Sequence, residues 1–147
     1  MPIEADPLDD PRRFALEVKG TSDRELEQLM SGSRRQPVLQ GIFRGMPSVF
    51  RGDRAGALSA VVHWHVGHPA GEPADVWEVV VADGCCVVHP GTTTDPRLRL
   101  SLDAVNFVRM ATGGAAAWSL FLRGRLKARG DLGLAKSFPQ LFEVPRV

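Results

Sequence analysis

Three histidines and two adjacent cysteines are the residues of this chain best suited to chemistry. His63 and His65 stand two apart in a β-rich run, and His89 follows in a later one. Residues two apart on a strand share a face, so two imidazoles point the same way and His89 can join them from a neighbouring strand. Zinc accepts imidazoles but takes three or four protein ligands. No fourth ligand and no His-Glu-x-x-His spacing accompanies these three. Solvent-facing or hydrogen-bonded histidines are the simpler reading, since imidazole titrates near neutrality and tolerates either setting. No metal is expected. Cys85 and Cys86 are neighbours, a placement in which a disulfide closes only with strain. They read as buried free thiols in a strand, which suits a reducing compartment. Cys86 becomes a candidate nucleophile only if the strands bring it to His63 or His65. The sequence has no Gly-x-Ser-x-Gly elbow, and Gly113-Gly114 is too short to cradle a phosphate. No catalytic residue and no cofactor is expected.

The elements that must position these groups follow from the periodicity. Ala57 to Gly67 alternates, with Val62, Trp64 and Val66 on one face and His63 and His65 on the other. Val76 to Val81 and Cys85 to His89 are two more strands, joined by the hairpin signal Asp83-Gly84. Leu98, Leu100 and Leu102 alternate with polar residues as a fourth strand, and Gly124 to Gly130 alternates as a fifth. Ser22 and Glu25 form a capping box for a helix over about 23 to 31. A second helix starts near Pro37, and Pro47 bends or ends it. Asp103 caps a helix carrying Ala104, Phe107, Val108 and Ala111. Ala115 to Leu122 is a short apolar helix. Asp131 caps a last helix that Pro139 kinks or breaks. Strand hairpins followed by helices indicate an α+β domain.

Composition sets the remaining bounds. A chain of 147 residues fits one domain, and 44% hydrophobic with 24% charged residues is ordinary for a globular protein with its own core. Net charge is +1, so there is no global polybasic field and nucleic acid is not indicated as a partner. Residues 1–20 carry Pro2, Pro7, Pro11 and several acids. They read as an extended, flexible arm dispensable for the fold, ahead of a single domain over 21–147. That start lacks the basic region and apolar run of a signal peptide, and no apolar stretch reaches a membrane span. The expected location is cytoplasmic. Nothing in the sequence fixes an oligomeric state.

Four ordered features resemble the sterol carrier protein type 2 (SCP-2 sterol transfer) family, in the manner of a bacterial single-domain member. They are Trp77 to Gly84, a Trp-bearing strand ending in Asp-Gly, and the Asp95 to Leu102 strand leading into the helix that stops at Gly113. Next comes Leu122 to Asp131, a basic-apolar alternation between two glycines. The closing helix with Leu141-Phe142 is the fourth. The resemblance covers about residues 37 to 143. It implies a five-stranded, mostly antiparallel sheet layered with helices around an apolar tunnel for acyl chains, sterols or related lipids, and it brings no catalytic residues. It turns several core candidates into expected tunnel wall: Phe43, Trp64, Phe107 and Met110, then Trp118, Phe121, Phe138 and Phe142. Trp77 and Leu126 are expected in the permanent core. Non-catalytic binding or transfer of a hydrophobic ligand is the function implied. The alternative is an enzyme, or an enzyme's accessory domain, acting on a bulky apolar metabolite with His63, His65 and His89 as acid-base groups. Arg123, Arg125, Lys127 and Arg129 form a local basic face. It is either a solvated strand edge or a surface for transient contact with an anionic membrane or a ligand's acidic group.

Overall fold

The chain is described by a computed structural model covering residues 3–145 and residue 147. Among the described residues one sheet contains β1 (Ala60–Gly67), β2 (Asp75–Ala82), β3 (Cys85–Pro90), β4 (Leu98–Asp103) and β5 (Lys127–Gly130). Their spatial order is β3-β2-β1-β4-β5. β1 runs antiparallel to β2 and parallel to β4, and the outer pairings are antiparallel. The turn between β2 and β3 is the one expected. Asp83 and Gly84 have φ of 53° and 72°, the left-handed pair that a two-residue hairpin needs.

The helices are α1 (Pro11–Lys19), α2 (Asp23–Leu29), α3 (Arg35–Val49), α4 (Gly52–Ala55), α5 (Ala104–Ala111), α6 (Ala117–Leu122) and α7 (Leu132–Ser137). A 3₁₀ turn, Phe138–Leu141, follows α7 where Pro139 stops it. The three caps read from the sequence form. Ser22, Asp103 and Asp131 accept hydrogen bonds from the backbone N–H groups of Glu25, Asn106 and Leu134. Pro37 is not the first residue of α3, which begins at Arg35 and runs past Pro47 to Val49. The Arg35 side chain explains the earlier start. It is 3% exposed, pairs with Asp75 at 2.8 Å and donates to the carbonyls of Met30, Val66 and Gly67. One guanidinium thereby fastens the start of α3 to the end of β1 and the start of β2.

The helices cover one face of the sheet. That face carries Val62, Trp64, Val66, Val79, Leu98 and Leu100, all buried. Phe43 of α3 stacks on Trp77 at 4.8 Å, and Phe107 of α5 meets Trp64 at 5.7 Å. Cys86 points to this side, paired with Val81 and buried, and burial pushes its thiol up to about 12. It stands on the opposite face from His63 and His65, so no Cys-His pair forms.

The extended arm expected over residues 1–20 is instead helical from Pro11. Proline at the first helical position loses no hydrogen bond, and Asp10 caps the helix by accepting from Arg13 N–H. Phe14 and Val18, one helical turn apart, are buried, as are Ile3 and Ala5. Glu17 is 5% exposed and accepts from the backbone N–H groups of Ala5 and Glu4. The bond from Ala5 outweighs the cost of burial and holds this carboxyl below its usual range. Asp10, Pro11 and Glu17, which suggested an arm, are the cap, first turn and tie of a packed helix, and Pro2 lies outside the described residues.

On the uncovered face, register sets His89, Glu78, His63, Arg99 and Arg129 along one rung across all five strands. Glu78 is fully buried. Its carboxylate accepts from His63 Nε2 at 2.9 Å, Thr93 Oγ1 at 2.7 Å and the N–H groups of Thr93 and Thr94 at 3.1 Å, and His89 Nε2 lies 2.8 Å from its Oε2. Burial alone would raise its pKa. The bonds from Thr93, His63 and Thr94 win, and the pKa is lowered from 4.5 to about 2. An ionised carboxylate only accepts, so His63 presents Nε2–H to it. His65 lies on the same face, its pKa lowered by burial and then by Arg99 and His63. Among the described residues no group of three or more His, Cys, Asp or Glu side chains could hold a metal ion.

Two outcomes are expected. Glu78→Gln leaves His63 and the Thr93 and Thr94 donors facing an amide and lowers stability by about 1–3 kcal/mol at neutral pH. Because the folded-state pKa is depressed, the stabilisation by Glu78 is complete above its ordinary 4.5 and is lost as pH falls through about 2. Urea titrations at a series of pH values should show the gap between wild type and variant closing over that window. Phe14→Ala should cost about 3–5 kcal/mol, and a chain beginning at Thr21 should melt lower than the full chain. An unchanged melt of the shortened chain would make α1 an ornament.

Candidate functional site

The element ends meet around an apolar cavity of about 140 Å³ on the helix side of the sheet. Trp64 of β1 supplies its floor. Ile42, Met46 and Val49 come from one stripe of α3, and Phe107 and Met110 from α5. Pro7, Pro11 and Phe14 bring the N-terminal segment to one side. Phe138, Phe142, Val144 and Pro145 bring the C-terminal segment to another.

Backbone contacts hold both terminal segments there. A Cβ on Gly41 would lie 2.5 Å from Pro7 Cγ, so only glycine at that place on α3 lets the N-terminal segment come so close. The C-terminal segment is tied to the end of α3. Arg51 N–H donates to the Leu141 carbonyl at 2.6 Å, and Glu143 N–H to the Val49 carbonyl at 2.9 Å. The Arg51 guanidinium pairs with Glu143 at 2.6 Å, and Phe50 packs against Phe142 at 5.4 Å. Beyond this segment lies a more polar groove of about 610 Å³. It shares Thr112, Val144 and Pro145 with the cavity and also borders Lys19 and Arg109.

The electrostatics of the cavity are spare. Glu143 is the only charged residue on its wall, and no Lys, Arg or His borders it among the described residues. The Thr112 hydroxyl donates to the Val108 carbonyl at 2.8 Å. Trp64 Nε1 is buried without a hydrogen-bond partner.

Of the residues expected in a tunnel wall, Trp64, Phe107, Met110, Phe138 and Phe142 border this cavity. Phe43 does not. It is fully buried between Trp77 and Phe107, with centroids 4.8 and 5.0 Å away. Trp118 and Phe121 do not either. They stack on each other at 5.5 Å, Trp118 is 51% exposed, and Lys136 Nζ stands 5.9 Å from the Trp118 ring. The short helix α6 buries Leu120, which turns Trp118 outward. Trp77 and Leu126 are buried. The α3 stripe was readable as helical spacing. The contribution of Pro7, Pro11 and Phe14 had only the Phe14 and Val18 spacing to announce it. His63, His65 and His89 lie across the sheet from the cavity.

The model of the SCP-2 sterol transfer family matches residues 48–143. Among solved structures, the sterol carrier protein 2 of Yarrowia lipolytica, in its apo form, is 17% identical with a TM-score of 0.54. That match covers 96% of this chain and 94% of the other. The palmitated SCP2L2 of Aedes aegypti is 13% identical with a TM-score of 0.59, covering 74% and 98%. The inverting sec-alkylsulfatase Pisa1 of Pseudomonas sp. is 14% identical with a TM-score of 0.61 over 74% of this chain, which spans only 17% of that enzyme. No curated protein matches the sequence. At these identities the structures share the fold, a five-stranded sheet with one helical side, and the family model carries the assignment: the chain belongs to the SCP-2 sterol transfer family.

Proposed function

We propose that this chain binds and carries a hydrophobic ligand, a fatty acyl, sterol-like or other lipid, in the apolar cavity and performs no chemistry on it. The observation that supports this most directly is the cavity itself, walled by apolar side chains from α1, α3, α5, β1 and both terminal segments. Its driving force is desolvation, about 0.8 kcal/mol for each CH₂ moved out of water. The cavity is smaller than the roughly 300–1,000 Å³ of pockets for drug-sized ligands, so a lipid enters by displacing part of the wall. The segment from Phe138 to Pro145 is the part to yield, because terminal elements open more cheaply than central strands. Displacing it joins the cavity to the groove beyond. An enzymatic use of the cavity lacks the acid-base groups first considered for it, since the three histidines face the other side of the sheet.

On that other side Arg99, Lys127 and Arg129 are exposed, and none has a carboxylate within ion-pair distance among the described residues. Arg99 and Arg129 oppose each other on β4 and β5, where like charges cost stability. A transient contact with an anionic membrane relieves that repulsion and adds about 1 kcal/mol for each cation. No helix among the described residues is long and apolar enough to cross a membrane. The free thiols Cys85 and Cys86 fit a cytoplasmic carrier.

Phe142→Ala should weaken binding of a fluorescent acyl probe several-fold with a modest fall in melting temperature. Leu126→Ala should cost about 2–5 kcal/mol of stability and leave the folded protein's affinity intact. Collapse of the Phe142 variant with unchanged affinity would make the last turn core and remove the entry route. For the membrane contact, co-sedimentation with phosphatidylserine vesicles at low salt should fall by roughly fivefold for each charge removed in Lys127→Ser and Arg129→Ser. Equal binding to phosphatidylcholine vesicles would sink it.

A further inference from the structure

Trp64 is held on every side. It lies opposite Trp77 and Leu100 in the sheet. Its ring meets Phe107 edge-on at 5.7 Å and Phe138 at 6.5 Å. It is 3% exposed. Yet its indole nitrogen, which only donates, is buried with no acceptor. Buried tryptophan N–H groups ordinarily have a partner, and a buried donor without one calls for an unfilled site or a water. Among the described residues the other such atom is His65 Nε2, on the uncovered face of the sheet. Trp64 alone of the two borders the cavity.

The rest of the wall narrows what the missing acceptor is. No cation borders the cavity among the described residues, and its one carboxylate, Glu143, is paired with Arg51 at 2.6 Å. A carboxylate or phosphate head drawn inside would be an unpaired buried charge, which is heavily penalised. A plain hydrocarbon would leave the N–H unsatisfied. A neutral carbonyl, ester or ether oxygen satisfies the donor and brings no charge.

We infer that the cavity selects a lipid bearing an uncharged hydrogen-bond acceptor, and that Trp64 Nε1–H is the donor that recognises it. This rests on the lipid-carrier function proposed above. An acidic head, where a ligand has one, stays outside near the mouth, and the selectivity resides at the floor. A site built to bond one oxygen discriminates against analogues lacking it, because the donor is then left unpaired.

The test uses the full chain and three probes of matched length: dodecane, methyl undecanoate and undecanoate. Each displaces a fluorescent acyl probe from wild type and from Trp64→Phe, which keeps an aromatic ring and removes the N–H. Wild type should bind the ester about tenfold tighter than the alkane, the worth of one hydrogen bond. Trp64→Phe should erase that preference, read as the ratio of ester to alkane affinity within the variant itself. Independently of how the variant folds, the Trp64 indole N–H resonance of wild type should move downfield with the ester and stay in place with the alkane. Equal affinity of wild type for ester and alkane, a preference that survives in Trp64→Phe, an unmoved resonance, or undecanoate binding tightest through Trp64 would each overturn the inference. If the alkane binds and Trp64 is silent, only this inference fails. If none of the three binds, the lipid-carrier function fails with it.

Discussion

Phe43 stands between Trp77 and Phe107, nearly parallel to the first at an interplanar angle of 7° and inclined by 23° to the second. From Phe107 the contacts pass to Trp64, Phe138, Phe142 and Phe50, with centroids 5.2–6.5 Å apart and angles of 46° or more. One continuous run of rings thus joins the middle of the sheet to the C-terminal segment. At its sheet end the rings are flat against one another and leave no space. Where they tilt, the cavity begins. Core and site are two ends of the same packing, and the position of the cavity follows from where the stacking stops.

That packing requires β1 to keep its two faces distinct. Trp64 turns toward the helices because His63 and His65 turn away, and His63 can be buried only because Glu78 receives it. Glu78 in turn gathers Thr93 and Thr94, which fixes the connection from β3 to β4. Arg97, just before β4, then sets that strand beside β1, its N–H donating to the Val61 carbonyl at 2.8 Å. The polar rung on one side of the sheet and the ring series on the other are therefore parts of a single constraint. A buried carboxylate of this kind is justified less by net stability than by the arrangement it enforces.

What could be read in advance was local. The alternation of β1, the Asp83-Gly84 turn, the caps at Ser22, Asp103 and Asp131 and the break at Pro139 each depend on residues a few positions apart. Arg35 and Glu78 escaped because their partners lie far along the chain: Asp75 for one, His63, His89 and the threonine loop for the other. Charged residues inside periodic segments read as surface until their partners are known. Pro7 and Pro11 misled for a related reason. Proline breaks a helix in its interior but opens one at its start, and only the glycine at position 41 shows that the segment before α1 lies against α3. Trp64 and Trp118 have the same chemistry, and the direction each faces was set by its element, a long central strand in one case and a six-residue helix in the other.

The strand order also bears on how the chain reaches this state. β1, β2 and β3 form a meander of neighbours in sequence, with contacts cheap in loop entropy. β4 must return to the far side of β1 and run parallel to it, a pairing that closes a longer loop before it gains any hydrogen bond. The cavity needs still more, since its walls come from residue 7 at one end of the chain and residue 145 at the other. Its closure brings together wall segments separated by most of the chain. On the lipid-carrier reading proposed above, a ligand present as the chain folds would meet the meander and an open apolar face first, and the two terminal segments would close over it.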